Sequence, residues 1–296
     1  MKSISIGVNA QTGTFAGDYL KLNGNAKASA MGGAFIGVSD DPSATFWNPS
    51  GLSQIKRIEI LSTYMNYFAG ISYISFAFSS PVMESTLGLS VDYVNMGQIE
   101  ETTPTNPTGT GRFFSPASLV IATSYARNVL NNLFLGGSFK LINDTIDTSN
   151  ASGYGVDLGM LWNANAKGTF GITLKNIVGS LGNTAIPSNY GVGYSYKLDD
   201  ILFAADLNLP SDDNMFANFG IEYSFEDSFF VRSGLTSKQT DNSSISFGIG
   251  FISKNIQFDY AFVPHSELDT THQLTIKFMP DFTRKNPYLT PIIHPD

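Results

Sequence analysis

From about residue 56 to about residue 279 the chain alternates with a period of two, which is the period of an extended strand and of no helix. In the clearest segment Ala217, Phe219, Ile221, Tyr223 and Phe225 form one face, and Asn218, Gly220, Glu222 and Ser224 form the other. Ile256, Phe258, Tyr260 and Phe262 alternate in the same way with Gln257, Asp259 and Ala261. Asn131-Asn132, Asp199-Asp200, Glu226-Asp227 and Lys254-Asn255 separate such segments and suit two-residue hairpins. About fourteen strands of about 9–11 residues can be drawn, among them 118–127, 133–143, 153–163, 168–177, 216–225, 256–263 and 271–278. Longer connections at 97–116 and 178–188 alternate with the tight ones.

The second face of these strands decides what surrounds them. A soluble sandwich buries its apolar face and charges the other, but here the second face is mainly Gly, Ser, Asn and Thr. Charged residues make up 14% of the chain, against about 25% in a soluble domain. The apolar face therefore belongs in lipid, and isolated charges at Glu59, Asp92, Lys140, Asp157, Lys175, Asp206, Glu222, Arg232, Asp259 and Lys277 belong inside, where opposite signs pair. The expected fold is all-β: a transmembrane antiparallel β-barrel of about 14 strands. Residues 1–54 are expected as an N-terminal hatch, 55–279 as the barrel and 280–296 as a C-terminal tail.

The stretch 27–52 neither alternates nor forms a simple turn. Gly32, Gly33 and Ala34 follow Met31 and permit close backbone approach, while Asp40-Asp41-Pro42 and Asn48-Pro49 each force an extended residue and then a turn. Its apolar residues are too few and too interrupted for a core of their own, so it reads either as a turn-rich plug packed on something larger or as a surface loop with one buried Trp. If it lies in the lumen, Gly33 falls where a backbone passes too close for a side chain, and the N–H of Trp47 finds an acceptor there. Met31, Gly32, Gly33, Phe35, Asp40, Asp41, Phe46, Trp47, Asn48 and Pro49 are the candidate gating residues. Phe113 and Phe114, adjacent in the long 97–116 connection, are candidates for contact with a ligand, lipid or partner, or else fold over the barrel mouth.

Several functions are disfavoured by composition. A net charge of −8 argues against nucleic-acid binding, and the lack of cysteine removes thiol catalysis and zinc–thiolate sites. There is no apolar run of about 18 residues for a helical span, and no secretory signal is visible. No catalytic constellation emerges. His265, Glu267, Asp269 and His272 could hold a cation across one loop but read better as hairpin residues, so no metal or cofactor is expected.

Ala28-Ser29-Ala30-Met31-Gly32-Gly33-Ala34-Phe35, followed by Asp40-Asp41-Pro42-Ser43-Ala44-Thr45 and Phe46-Trp47-Asn48-Pro49-Ser50-Gly51-Leu52, together with the terminal Phe258-Asp259-Tyr260-Ala261-Phe262-Val263-Pro264 hairpin, with Leu268, Thr271-His272 and a last strand from Leu274 to Phe278, resemble the PorV/PorQ family. Those outer-membrane barrels are similar to FadL-type transporters of hydrophobic compounds. The resemblance implies a bacterial outer-membrane barrel whose Asn48-Pro49 segment folds into the lumen as a hatch. It further implies a non-enzymatic role in type IX secretion, with secretion-system subunits or secreted cargo as partners. The alternative it implies is a transporter of long-chain fatty acids or other hydrophobic small molecules, with Phe46 and Trp47 lining the path. The missing signal peptide, and a tail that continues past Phe278, depart from the pattern.

Overall fold

The computed structural model describes residues 15–22, 24–67, 70–238, 245–265 and 269–281. Fourteen strands close into one antiparallel barrel: Glu59–Asn66, Ser72–Val82, Ser85–Asn95, Ala117–Leu130, Leu133–Ile146, Ser149–Asn163, Gly168–Leu181, Asn189–Leu198, Ile201–Pro210, Phe216–Phe225, Phe229–Thr236, Ile245–Ser253, Ile256–Val263 and Thr271–Phe278. Each pairs with its sequence neighbours. The last strand returns to the first, with Ile60 opposite Phe278 and Asn66 opposite His272. Closure leaves no strand edge unpaired, which is the condition for spanning a membrane with strands.

Alternation sorts the side chains as the sequence requires. Phe219, Phe247, Ile249, Phe258 and Leu274 face outward and are exposed, and the intervening positions are buried. No helix among the described residues is long and apolar enough to cross a membrane; the strands do so. Inside, charges of opposite sign pair: Lys140 with Asp157 at 2.8 Å, Arg232 with Glu222 at 2.5 Å and with Asp259 at 2.6 Å. Such pairs satisfy charges that no lipid could solvate.

The two ends of the barrel differ. At one end the connections are tight, and Asp199, Glu226, Asp227 and Lys254 adopt the left-handed conformation that a two-residue hairpin demands. The opposite end carries the long connection 96–116, in which Ile99–Glu100 pairs with Phe113–Phe114. In outer-membrane barrels the short turns are periplasmic and the long loops extracellular. Four adjacent strands, Ala117–Leu130 to Gly168–Leu181, are longer than the alternation suggests, and the connection expected at 178–188 begins only after Leu181. Beyond the hydrocarbon both faces of a strand are wet, so alternation fades while the hydrogen-bond ladder continues.

Residues 24–54 pack against the inward faces of the strands as short helices, Ala26–Ala30, Ala44–Trp47 and the 3₁₀ turn Pro49–Gln54, joined by turns. Glycines on the wall make the room. A side chain at Gly136 would strike Pro49 and Ser50, one at Gly220 would strike Met31, and one at Gly248 would strike Ala30. The small inner face of the alternating strands is therefore complementary to this inner segment. Of the expected tail, 282–296 lies outside the described residues.

Candidate functional site

The inner segment is tied to the wall through its own backbone, whose polar groups would otherwise be buried unpaired. The Asp206 carboxylate accepts from the N–H groups of Phe35 and Ile36 at 2.7 and 2.8 Å. Asn218 donates to the Gly33 carbonyl at 3.1 Å, and Ser195 to the Gly37 carbonyl at 2.8 Å. Ser246 both donates to the Ala30 carbonyl and accepts from the Gly32 N–H, each at 3.0 Å.

Asn48 explains the Asn-Pro pair. Its backbone is extended, its Oδ1 accepts from the Ser50 hydroxyl at 2.7 Å, and its Nδ2 donates to the carbonyls of Ile36 at 3.0 Å and Met160 at 3.2 Å. One fully buried side chain thus joins two parts of the segment to the wall, while Pro49 opens the following turn with no N–H to satisfy. On the short-turn side Lys27 donates to both oxygens of Asp40 at 2.9 and 2.7 Å. Burial pushes the Asp40 carboxyl up, but Lys27 and Lys277 outweigh it and hold it below its ordinary value. Asp41 is buried and accepts from Asn25 at 2.7 Å and from the Ser43 N–H at 2.9 Å.

Trp47 is the centre of the segment's own apolar cluster with Ala28, Met31, Ala34, Phe35 and Val38, and Phe46 packs on that cluster half-buried. The Trp47 ring meets Phe35 edge-on at 5.7 Å between centroids. Two expectations about this region are corrected. The buried Trp47 Nε1 has no hydrogen-bond partner among the described residues, so the residue anchors through the packing of its ring and not through a hydrogen bond. The close backbone lies beside Gly32, where an added Cβ would sit 2.6 Å from the Leu235 nitrogen. At Gly33 the nearest atom is instead the Asn218 side chain at 3.0 Å, and a φ of +79° favours glycine.

On the loop side of Gly32, Gly33 and Trp47 lies a cavity of about 220 Å³. Met65, Phe216, Ile245 and Val263 line its apolar wall, and Lys175, Asn176, Asn189, Asn208 and Asn218 its polar one. Residues 20–22 roof it. They are held by the Lys21–Asp212 ion pair at 2.5 Å, by a hydrogen bond from Tyr19 to Asp144, and by Ala16 donating to the Ala185 carbonyl at 3.1 Å.

Alternation alone points Lys175 into this cavity, and a bulge brings Asn176 in beside it. The pairing register shifts opposite Asp157, Asn176 turns left-handed with φ 52°, and its N–H donates to Asp157 at 2.7 Å. A bulge re-aims side chains; here two consecutive residues, Lys175 and Asn176, both line the lumen. The Lys175 ammonium stands 5.0 Å from the centroid of the Trp47 ring, and no ion pair forms at it among the described residues. Sequence reasoning placed Lys175 inside but missed the bulge, which has no signature in a strand of ordinary composition.

Phe113 is exposed and Phe114 half-buried in the loop hairpin, and neither lines the cavity. His265 lines the cavity, whereas His272 faces outward, hydrogen-bonded to Tyr260 at 2.7 Å. The two histidines therefore do not converge, and Glu267 lies outside the described residues.

The apolar outer wall, closed strands and polar lumen define a transmembrane β-barrel of the bacterial outer membrane with part of its own chain folded within. In fold it is similar to solved FadL-like transporters. The Ralstonia pickettii toluene transporter TbuX superposes with a TM-score of 0.64 at 16% identity, over 88% of this chain and 99% of the other. The Pseudomonas putida toluene transporter TodX gives 0.67 at 13%, over 86% and 97%. A Pseudomonas aeruginosa FadL homologue gives 0.57 at 12%, over 86% and 98%. No family model and no curated protein sequence matches the chain.

Proposed function

We propose that this protein is a non-enzymatic outer-membrane transporter of hydrophobic small molecules, with the cavity above Trp47 as the solute's seat and residues 24–54 as the plug that closes the path. The observation that carries this reading is the cavity itself: an apolar wall with a few convergent polar groups, lying between the plug and residues 20–22 of the same chain. An apolar body fits against Met65, Phe216, Ile245 and Val263, and a polar or anionic end fits against Lys175 and the neighbouring asparagines. In this role Met31, Gly32, Gly33, Phe35 and Trp47 form the moving floor, Asn48 and Pro49 its hinge to the wall, and Asp40 and Asp41 its periplasmic fastening. Proteoliposomes containing the protein are expected to take up a labelled fatty acid or aromatic hydrocarbon faster than protein-free vesicles. Uptake equal to that of empty vesicles refutes the reading.

The secretion role has separate support in the terminal stretches that resemble PorV/PorQ and in the projecting hairpin, where Phe113 is 56% exposed. On this reading Phe113 meets a secretion subunit or cargo. Deleting the gene and measuring surface-attached secreted proteins tests it, and unchanged attachment removes it.

A further inference from the structure

Residues 24–54 are held unevenly by the wall. Ser195, Asp206, Asn218, Ser246 and Thr275, all on strands between Asn189 and Phe278, hydrogen-bond to their backbone. Thr63, Ser138 and the Met160 carbonyl add further bonds. Among the described residues, no hydrogen bond joins 24–54 to the three consecutive strands Ser72–Val82, Ser85–Asn95 and Ala117–Leu130.

On that side the plug only packs. Ala44, Leu52 and Ile55 cluster with Ala126, and a side chain at Gly88 would sit 2.8 Å from the Leu52 Cδ1. The hydroxyls of Ser79 and Ser90 on the wall and of Thr45 on the plug are fully buried, and none has a hydrogen-bond partner among the described residues. Register gathers them. Ser79 stands opposite Gly88, where an added Cβ would lie 3.0 Å from the Thr45 Oγ1, and Ser90, two residues along from Gly88, stands between Ala77 and Ala122. Above this seam Met65, which lines the cavity, packs on Tyr73 and Val94. Below it Ser79 stands opposite Glu59, at the short-turn end.

Given the transport reading, on which this rests, we propose that solute passes the plug along this seam. The plug stays on its hydrogen-bonded side and parts from the strands Ser72–Val82, Ser85–Asn95 and Ala117–Leu130. The path so opened has serine hydroxyls on the wall and Ala44, Leu52 and Ile55 on the plug. A buried hydroxyl without a partner costs free energy, and it regains a hydrogen bond when water or solute enters. Parting on the other side breaks the bonds to Ser195, Asp206, Asn218 and Ser246 instead, so the two sides differ in the sign of their hydrogen-bond change.

The chain has no cysteine, so single cysteines report which side opens. Ala77 and Ala122 lie on the seam, Ala204 and Ala261 on the bonded side, and all four are buried, at 0%, 2%, 6% and 0% exposure. In reconstituted vesicles, methyl methanethiosulfonate is expected to label Ala77→Cys and Ala122→Cys at least about tenfold faster than Ala204→Cys and Ala261→Cys. One member of each pair suffices if the other does not assemble. Equal rates, or faster labelling of the bonded side, overturn the proposal. Thr45→Cys with Gly88→Cys, joined across the seam by oxidation, is expected to abolish uptake of a labelled fatty acid, and reduction to restore it; uptake by the oxidised protein equal to that of the reduced also overturns the proposal. A parent that takes up no solute removes transport, and the labelling rates then still decide which side opens.

Discussion

Replacing Trp47 separates the plug from the barrel that surrounds it. Trp47 is 6% exposed and supplies the largest surface of a cluster made almost entirely of plug residues. Truncating a buried Trp to Ala costs about 3–5 kcal/mol. The strand ladder closes without it, so the loss falls on the plug. At about 1.4 kcal/mol per factor of ten, even the lower figure raises the open population on the order of a hundredfold. The unpaired Nε1 sharpens the expectation, since Trp47→Phe keeps most of the apolar contact and removes no hydrogen bond. In planar bilayers Trp47→Ala is expected to open far more often than the parent, and Trp47→Phe to stay close to it. Parent-like conductance from a folded Trp47→Ala barrel, or a Trp47→Phe variant as open as Trp47→Ala, would refute the reasoning.

Asp206→Ala removes the acceptor of two buried N–H groups, each worth about 1.5–3 kcal/mol as a charged hydrogen bond, and is expected to expose 24–54 to added protease while the barrel stays intact. Arg232→Met leaves Glu222 and Asp259 buried without their cation, a loss of about 3–5 kcal/mol, and should lower the temperature at which the barrel loses its compact mobility on gels. Because Lys27 and Lys277 hold the Asp40 carboxyl low, their attraction stabilises the plug above the ordinary carboxylate range. That contribution is lost as pH falls through the folded value, so conductance should rise only in strong acid and Asp40→Asn should abolish the dependence. Lys175→Met is expected to weaken binding of solutes with an anionic end and to spare neutral hydrocarbons, as measured by displacement of a fluorescent ligand.

The barrel was legible because lipid on one side and small polar groups on the other write themselves into every second residue. Phe216–Phe225, Ile256–Val263 and Thr271–Phe278 run between the ends that alternation alone assigns. Where strands leave the membrane, at 128–130 and 144–146, the two faces become equivalent and the ends blur. Inward-facing glycines were readable as a narrow lumen, but not which part of the plug each one faces, since that depends on turns closed in three dimensions. The cavity was not legible at all. Its roof is a short segment near the N-terminus, and the second polar residue beside Lys175, Asn176, is turned inward by a bulge that an ordinary strand sequence conceals.

Transport requires that a hydrophobic solute reach the floor of the cavity. The chain has 2 Trp, and Trp162 faces outward, so Trp162→Phe leaves Trp47 as a reporter on that floor. Titration with a brominated fatty acid or bromobenzene should quench Trp47 saturably, and an excess of the unbrominated compound should restore the fluorescence. Quenching that rises linearly without saturation and resists displacement would contradict a solute seat above the plug.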